Sequence, residues 1–223
     1  MYQPRRHDLL LLTQAGLDRL AATIRVSEDP AGTRMADMFA GFRLPVIVRR
    51  HSACDQTGIG VGISFPHREN GQRLRFAAAV MPREITEVIS PYAIADKHFE
   101  TLAPPLSALR KIKEIGCVQP GNLGIYGASA LQVVTGLRYL HAQSDLDLII
   151  RGETIESLIN INSVLSALET EMGVKIDVEI VLGDSGEVKM KELLSHQKTV
   201  LVKSMTHVDV IEKQVALSLL PAI

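Results

Sequence analysis

The stretch from Ser144 to Leu182 constrains this chain most. Two short apolar runs, DLDLII (145–150) and VKIDVEIVL (174–182), flank a helix-length segment from Glu153 to Met172. Runs of this length rich in Ile, Leu and Val read as strands, and the segment between them reads as a long helix. Successive strand side chains point to opposite faces, so Asp145 and Asp147 share one face while Leu146 and Leu148 share the other. The second run alternates in the same manner, with Ile176, Val178 and Ile180 on one face and Asp177 and Glu179 on the other. Two carboxylates about 7 Å apart along a strand repel unless a cation lies between them. Paired hard oxygens of this kind suit Mg²⁺ or Mn²⁺. If the two strands are neighbours in one sheet, Asp177 completes the ligand set, with Glu179 in reserve. Each strand taken alone also reads as a solvated or half-exposed strand, so the grouping carries the argument rather than either piece.

A third element precedes them. IYGASALQVV (125–134) reads as a strand, LGIYG (123–127), that turns into a helix stopped by Gly136. Gly127 lets the backbone approach a ligand, and the first turn of the helix offers N–H groups to an anion through Gly127, Ala128 and Ser129. Ser129 also reads as an ordinary N-cap. Further helices are expected at 105–115, 190–196 and the C-terminus, with a strand over TVLVK (199–203).

The N-terminal part differs in character. LPVIVRR (44–50), GIGVGISF (58–65) and RLRFAAAV (73–80) read as strands, separated by the turn-rich HSACDQTG and PHRENGQ. QAGLDRLAATI (14–24) and RMADMFAGF (34–42) read as amphipathic helices. Residues 1–100 carry twelve Arg and one Lys, whereas 101–223 carry three Arg and eight Lys, and Pro104-Pro105 lies near the switch. The expected organisation is therefore a smaller β-rich domain over 1–100 and a second domain over 101–223, the alternative being one continuous domain with a loop at the switch. The alternation of β and α elements in the second makes the fold class α+β (α/β) around a mixed sheet.

Composition narrows the function. The formal net charge of −1 argues against binding nucleic acid by bulk electrostatics, and nine Phe and Tyr with no Trp give no base-stacking platform. No run approaches the roughly 18 apolar residues of a membrane span, and the apolar run Leu9 to Leu12 is too short for a signal sequence. Cys54 and Cys117 are too few for a disulfide framework, which points to a reducing, cytoplasmic setting. Gly58, Gly60 and Gly62 precede no helix pattern, and no phosphate-binding P-loop motif is present.

The order strand–Gly–helix, Asp-x-Asp strand, helix, Asp strand resembles the nucleotidyltransferase superfamily that includes DNA polymerase β. Within it, YGASALQVVTGLRYLHAQSDLDLII (126–150) resembles the signature of the phosphoribosyl-dephospho-CoA transferases, the holo-acyl-carrier-protein synthases of malonate decarboxylase. The matching positions are Tyr126-Gly127, Leu131-Gln132, Thr135 to Leu140 and Ser144 to Leu148. RRHDLLLL (5–12), LPVIVRR, KIDVEI (175–180) and VLVK (200–203) are similar to further family segments. The resemblance implies a nucleotidyltransferase-like C-terminal fold. It also implies transfer of the prosthetic group from triphosphoribosyl-dephospho-CoA to a serine of the apo acyl carrier protein, with pyrophosphate leaving. Asp145, Asp147 and Asp177 would hold Mg²⁺ or Mn²⁺, Asp177 alternatively acting as base, and Gly127, Ala128, Ser129 and Lys203 would contact phosphate. One position departs from the pattern: the family's Gly-Ser is Gly127-Ala128 here, with Ser129 one place later.

Weaker candidates are His141, near the Asp pair, and Arg49-Arg50 with Arg73 and Arg75, which offer forked donors to carrier or coenzyme. Two other functions fit parts of the sequence. GASAL is reminiscent of a hydrolase nucleophile elbow built on Ser129, but Leu131 stands where a small residue relieves crowding, and the Asp pair goes unexplained. A non-catalytic nucleotide-binding regulator on the same fold is the other.

Overall fold

The computed structural model describes residues 4–50, 58–69, 71–99 and 103–222. They form two compact units, one of residues 1–90 with 135–139 and one of residues 91–134 with 140–223.

The first unit contains β1 (Leu9–Leu12), α1 (Gln14–Arg25), α2 (Gly32–Phe42), β2 (Val46–Val48), β3 (Ile59–Glu69), β4 (Gln72–Val80) and β5 (Ile85–Ile89). The strands make one antiparallel sheet in the order β4-β3-β2-β1-β5. Both helices lie where the apolar periodicity puts them. Thr13 caps α1, its side chain accepting from the Gly16 N–H. The sheet has two strands beyond the three expected. The apolar run at Leu9–Leu12 is β1, whose Leu9, Leu10 and Leu12 are all buried, as a strand lying between two others requires.

PHRENGQ is not the loop its composition suggests. β3 runs on through Pro66 to Glu69, and a register shift against β4 between Ser64 and Arg68 accommodates the proline. Proline lacks a ladder donor, so a strand tolerates it at such an irregularity. The other turn-rich segment, with Cys54, falls at 51–57, outside the described residues. Residues 135–139 belong to this unit through Tyr139, whose hydroxyl donates to the Ser64 carbonyl at 2.9 Å and whose ring lies under the Arg73 guanidinium.

The second unit begins with α3 (Pro91–Ala95) and α4 (Pro104–Ile115), followed by β6 (Leu123–Ile125) and α5 (Gly127–Thr135). Next come β7 (Leu146–Ile150), α6 (Ile155–Met172), β8 (Ile176–Val181), β9 (Glu187–Lys189) and α7 (Met190–Leu193). It closes with β10 (Thr199–Lys203), β11 (Val208–Glu212) and α8 (Lys213–Ser218). The sheet order is β11-β10-β9-β8-β7-β6, and β7–β8 is its one parallel pairing among the described strands. Parallel neighbours need a crossover, and α6 supplies it. Thr154 caps that helix through the Ser157 N–H, and Gly173 ends it in the left-handed region. Leu146, Leu148, Ile150, Ile176, Val178 and Ile180, on one face of the two strands, are all buried. The fold is thus mixed α+β, an antiparallel-sheet unit followed by a mixed sheet with helices. Among the described residues, no helix is long and apolar enough to cross a membrane.

Candidate active site

The crossover fixes the carboxylates. Because β7 and β8 run parallel in register, Asp147 lies directly opposite Asp177. Asp145, in the residue just ahead of β7, projects beside them. Carboxylate oxygens of Asp145, Asp147 and Asp177 all come within 4.8 Å of one another. Burial and the charges of Asp145 and Asp177 push the Asp147 carboxyl up to about 7. Asp177 moves the other way. Burial opposes its ionisation, but hydrogen bonds from Lys189 and Lys175 outweigh that and hold its carboxyl below the usual range.

Gly127 is the turn that lets this happen. Its φ of +65° favours glycine, and a Cβ there would stand 2.2 Å from Asp147 Oδ2. The start of α5 is thereby pressed against the Asp147 carboxylate, and the Tyr126 N–H donates to the Asp147 carbonyl at 3.1 Å. Ala128, next along, is half-buried, and the first-turn N–H groups of α5 have no partner within the helix.

Ser129 points inward. It is 1% exposed, and its hydroxyl has no hydrogen-bond partner among the described residues. A nucleophilic serine needs both access and a base within hydrogen-bond reach, so this position does not suit a hydrolase elbow. Glu179 is also buried, and Lys203 Nζ sits 3.2 Å from its Oε1. Lys203 therefore lies on the same sheet face as Asp177, with its ammonium held by Glu179. His141 closes a turn, its Nδ1 accepting from the Gln143 N–H at 3.2 Å while its own N–H donates to Ser144 Oγ at 3.0 Å.

Two residues beside the carboxylates went unread in the sequence. Lys175 Nζ is 3.2 Å from Asp177 Oδ2 and 3.9 Å from Asp145 Oδ2, and Lys189 Nζ is 3.0 Å from Asp177 Oδ2. Lys175 precedes Asp177 by two positions, a strand spacing that places both on one face. Lys189 comes from β9, and only the sheet order brings it there.

In the first unit, Arg49 Nε donates to the Val61 carbonyl at 3.2 Å and its Nη1 to the Arg50 carbonyl at 3.1 Å. Arg73 donates to the Tyr139 carbonyl, while Arg50 and Arg75 are exposed.

Comparison with known proteins covers both units. Residues 93–214 match the phosphoribosyl-dephospho-CoA transferase MdcG C-terminal domain, and residues 5–91 match the corresponding N-terminal domain. A phosphoribosyl-dephospho-CoA transferase of Xanthomonas euvesicatoria pv. vesicatoria is 32% identical over 178 residues, 78% of this chain and 81% of the relative. A protein of the same description from Bradyrhizobium diazoefficiens is 24% identical over 94% of this chain and 91% of its own length. Another, from Pseudomonas putida, is 29% identical over 92% of this chain and 91% of its own. No solved structure gives a significant match.

Proposed function

Because the chain belongs to the phosphoribosyl-dephospho-CoA transferase family, we propose that it moves the phosphoribosyl-dephospho-CoA group from its triphosphate precursor to a serine of the apo acyl carrier protein of malonate decarboxylase. Pyrophosphate leaves. The observation that carries the mechanism is the convergence of Asp145, Asp147 and Asp177 within 4.8 Å beside a glycine turn. That order of elements also supports placing the second unit with the nucleotidyltransferases.

The donor set fits a hard divalent cation. Three carboxylates crowd one point, and burial together with the like charges raises Asp147, which is a strain that a cation relieves. Asp145, Asp147 and Asp177 would hold Mg²⁺ or Mn²⁺, which when bound neutralises charge on the triphosphate and its leaving group. The backbone N–H groups at the start of α5 bind phosphate oxygens, since a helix N-terminus carries partial positive charge. With Ser129 turned inward, the N–H groups of Gly127 and Ala128 form that cradle without the family's hydroxyl. Asp177, held low by two lysines, is a poor proton acceptor, so ligation suits it better than the role of base. Lys203, paired with Glu179 on the same sheet face, would contact the phosphates from there. The nucleophile is the carrier's serine, so this chain needs no activated Ser or Cys of its own.

The test is direct. Mixing the protein with triphosphoribosyl-dephospho-CoA, the apo carrier and Mg²⁺ should release pyrophosphate in step with a mass increase on the carrier. EDTA should stop both, and added Mg²⁺ or Mn²⁺ should restore them. Carrier left unmodified under these conditions overturns the reading.

A further inference from the structure

Asp177 Oδ2 accepts from two ammonium groups, Lys175 at 3.2 Å and Lys189 at 3.0 Å. The same residue is one of the three that converge as candidate cation ligands. One carboxylate oxygen cannot hold two ammonium groups and a divalent cation together, because like charges at hydrogen-bonding distance repel strongly. A cation that takes this oxygen must therefore displace an ammonium group. Lys175 is largely solvated, with 63% of its side chain exposed, and leaving Asp177 returns it to water. Lys189 is more enclosed, at 37%, and its backbone is fixed in the β8–β9 ladder opposite Glu179. Its displaced ammonium has to find a new anion close to the site.

The neighbouring carboxylate does not supply one. Glu179 already holds Lys203 at 3.2 Å, and that carboxylate is 4% exposed. The anion that arrives together with the cation is the ligand itself. The start of α5 lies against Asp147, on the β6 side of the carboxylates, whereas Lys189 approaches from the β9 side. Phosphate oxygens seated at α5 would therefore leave their far end toward Lys189. Lysine's flexible stem lets a point charge change partners without moving the strand.

We propose that Lys189 is an exchangeable counter-ion: it neutralises Asp177 while no cation is bound, and moves to the departing diphosphate of the donor when a divalent cation takes the Asp177 oxygen. This rests on the cation-site reading above. It means that cation and polyphosphate assist each other's binding, since each removes the charge conflict the other creates.

Two affinities of opposite sign test it. Mn²⁺ alone is titrated by electron paramagnetic resonance, and inorganic pyrophosphate is titrated by calorimetry with Mg²⁺ saturating. Lys189→Met should bind Mn²⁺ about tenfold more tightly and pyrophosphate about tenfold more weakly, as expected when one charged contact is lost. Lys189→Arg should restore pyrophosphate binding. Thermal unfolding checks that the variants are folded, and Lys189→Gln replaces the Met variant if that one is not. A variant that alters only one affinity, or neither, overturns the exchange. A wild-type protein that binds no Mn²⁺ overturns the cation site, and the exchange with it.

Discussion

Asp147 is held against its own charge by burial and by Asp145 and Asp177, with its carboxyl pushed up to about 7. A raised carboxyl favours the protonated form in the folded state. Its contribution to stability is present below the ordinary carboxylate value of about 3.9 and is lost as pH rises through about 7. Asp177, held low, acts oppositely: its contribution is present above the ordinary value and is lost only in stronger acid. Asp147→Asn should therefore raise the melting temperature of the metal-free protein, and the gain should grow between about pH 5 and pH 8. A pH-independent difference would remove Asp147 as its source. Because a cation competes with that proton, Mg²⁺ should stabilise the wild type more at pH 8 than at pH 5. The same Asn substitution should lower transfer at least about a hundredfold, the scale of losing a strong electrostatic contact in a reaction. Near-normal turnover would be incompatible with ligation by Asp147.

At the level of elements, the start of α5 and the end of β6 are shaped around that carboxylate. Gly127→Ala places a methyl group 2.2 Å from Asp147 Oδ2 at a positive φ. The expected cost is about 1–2 kcal/mol of stability, with a weaker Mn²⁺ affinity because the Asp147 side chain must turn away. Unchanged Mn²⁺ binding in a folded variant would show that the close approach does not position the ligand. Ala128 is half-buried while Ser129 is turned inward. Ala128→Ser should tighten donor binding by about 1 kcal/mol, the net worth of a typical hydrogen bond. Calorimetry with the triphosphate donor checks this, and an unchanged affinity would assign the cradle to backbone N–H groups alone.

For the whole molecule, the carboxylate site lies in the second unit, while the first carries thirteen of the fifteen arginines. We propose that the first unit contributes to holding carrier or coenzyme. Arg50 is exposed, whereas Arg49 is tied to carbonyls of its own sheet, so the two should separate on mutation. Arg50→Ala should raise KM for one substrate at low salt, with the effect fading as salt rises and cation dependence unchanged. Arg49→Ala should in addition lower the melting temperature, and wild-type kinetics in Arg50→Ala would leave that residue as surface charge. How far such assignments reach from sequence depends on how local the physics is. Periodicity is local, so α1, α2, α4, α6 and the strands bearing the aspartates were legible from side-chain alternation and apolar spacing. The face shared by Asp145 and Asp147, and the glycine turn ahead of them, were legible for the same reason. β1, β5, β9 and β11 were not read as strands, because runs this short gain their identity from the strands they pair with. Above all, the sequence left open whether Asp177 stands beside Asp147. The parallel pairing of β7 and β8 through α6 decided that, and it set the two carboxylates opposite each other. Sheet order then brought Lys189 to Asp177 and Lys203 to Glu179, and turned Ser129 away, since ion pairs and burial between distant segments exist only once the chain has packed.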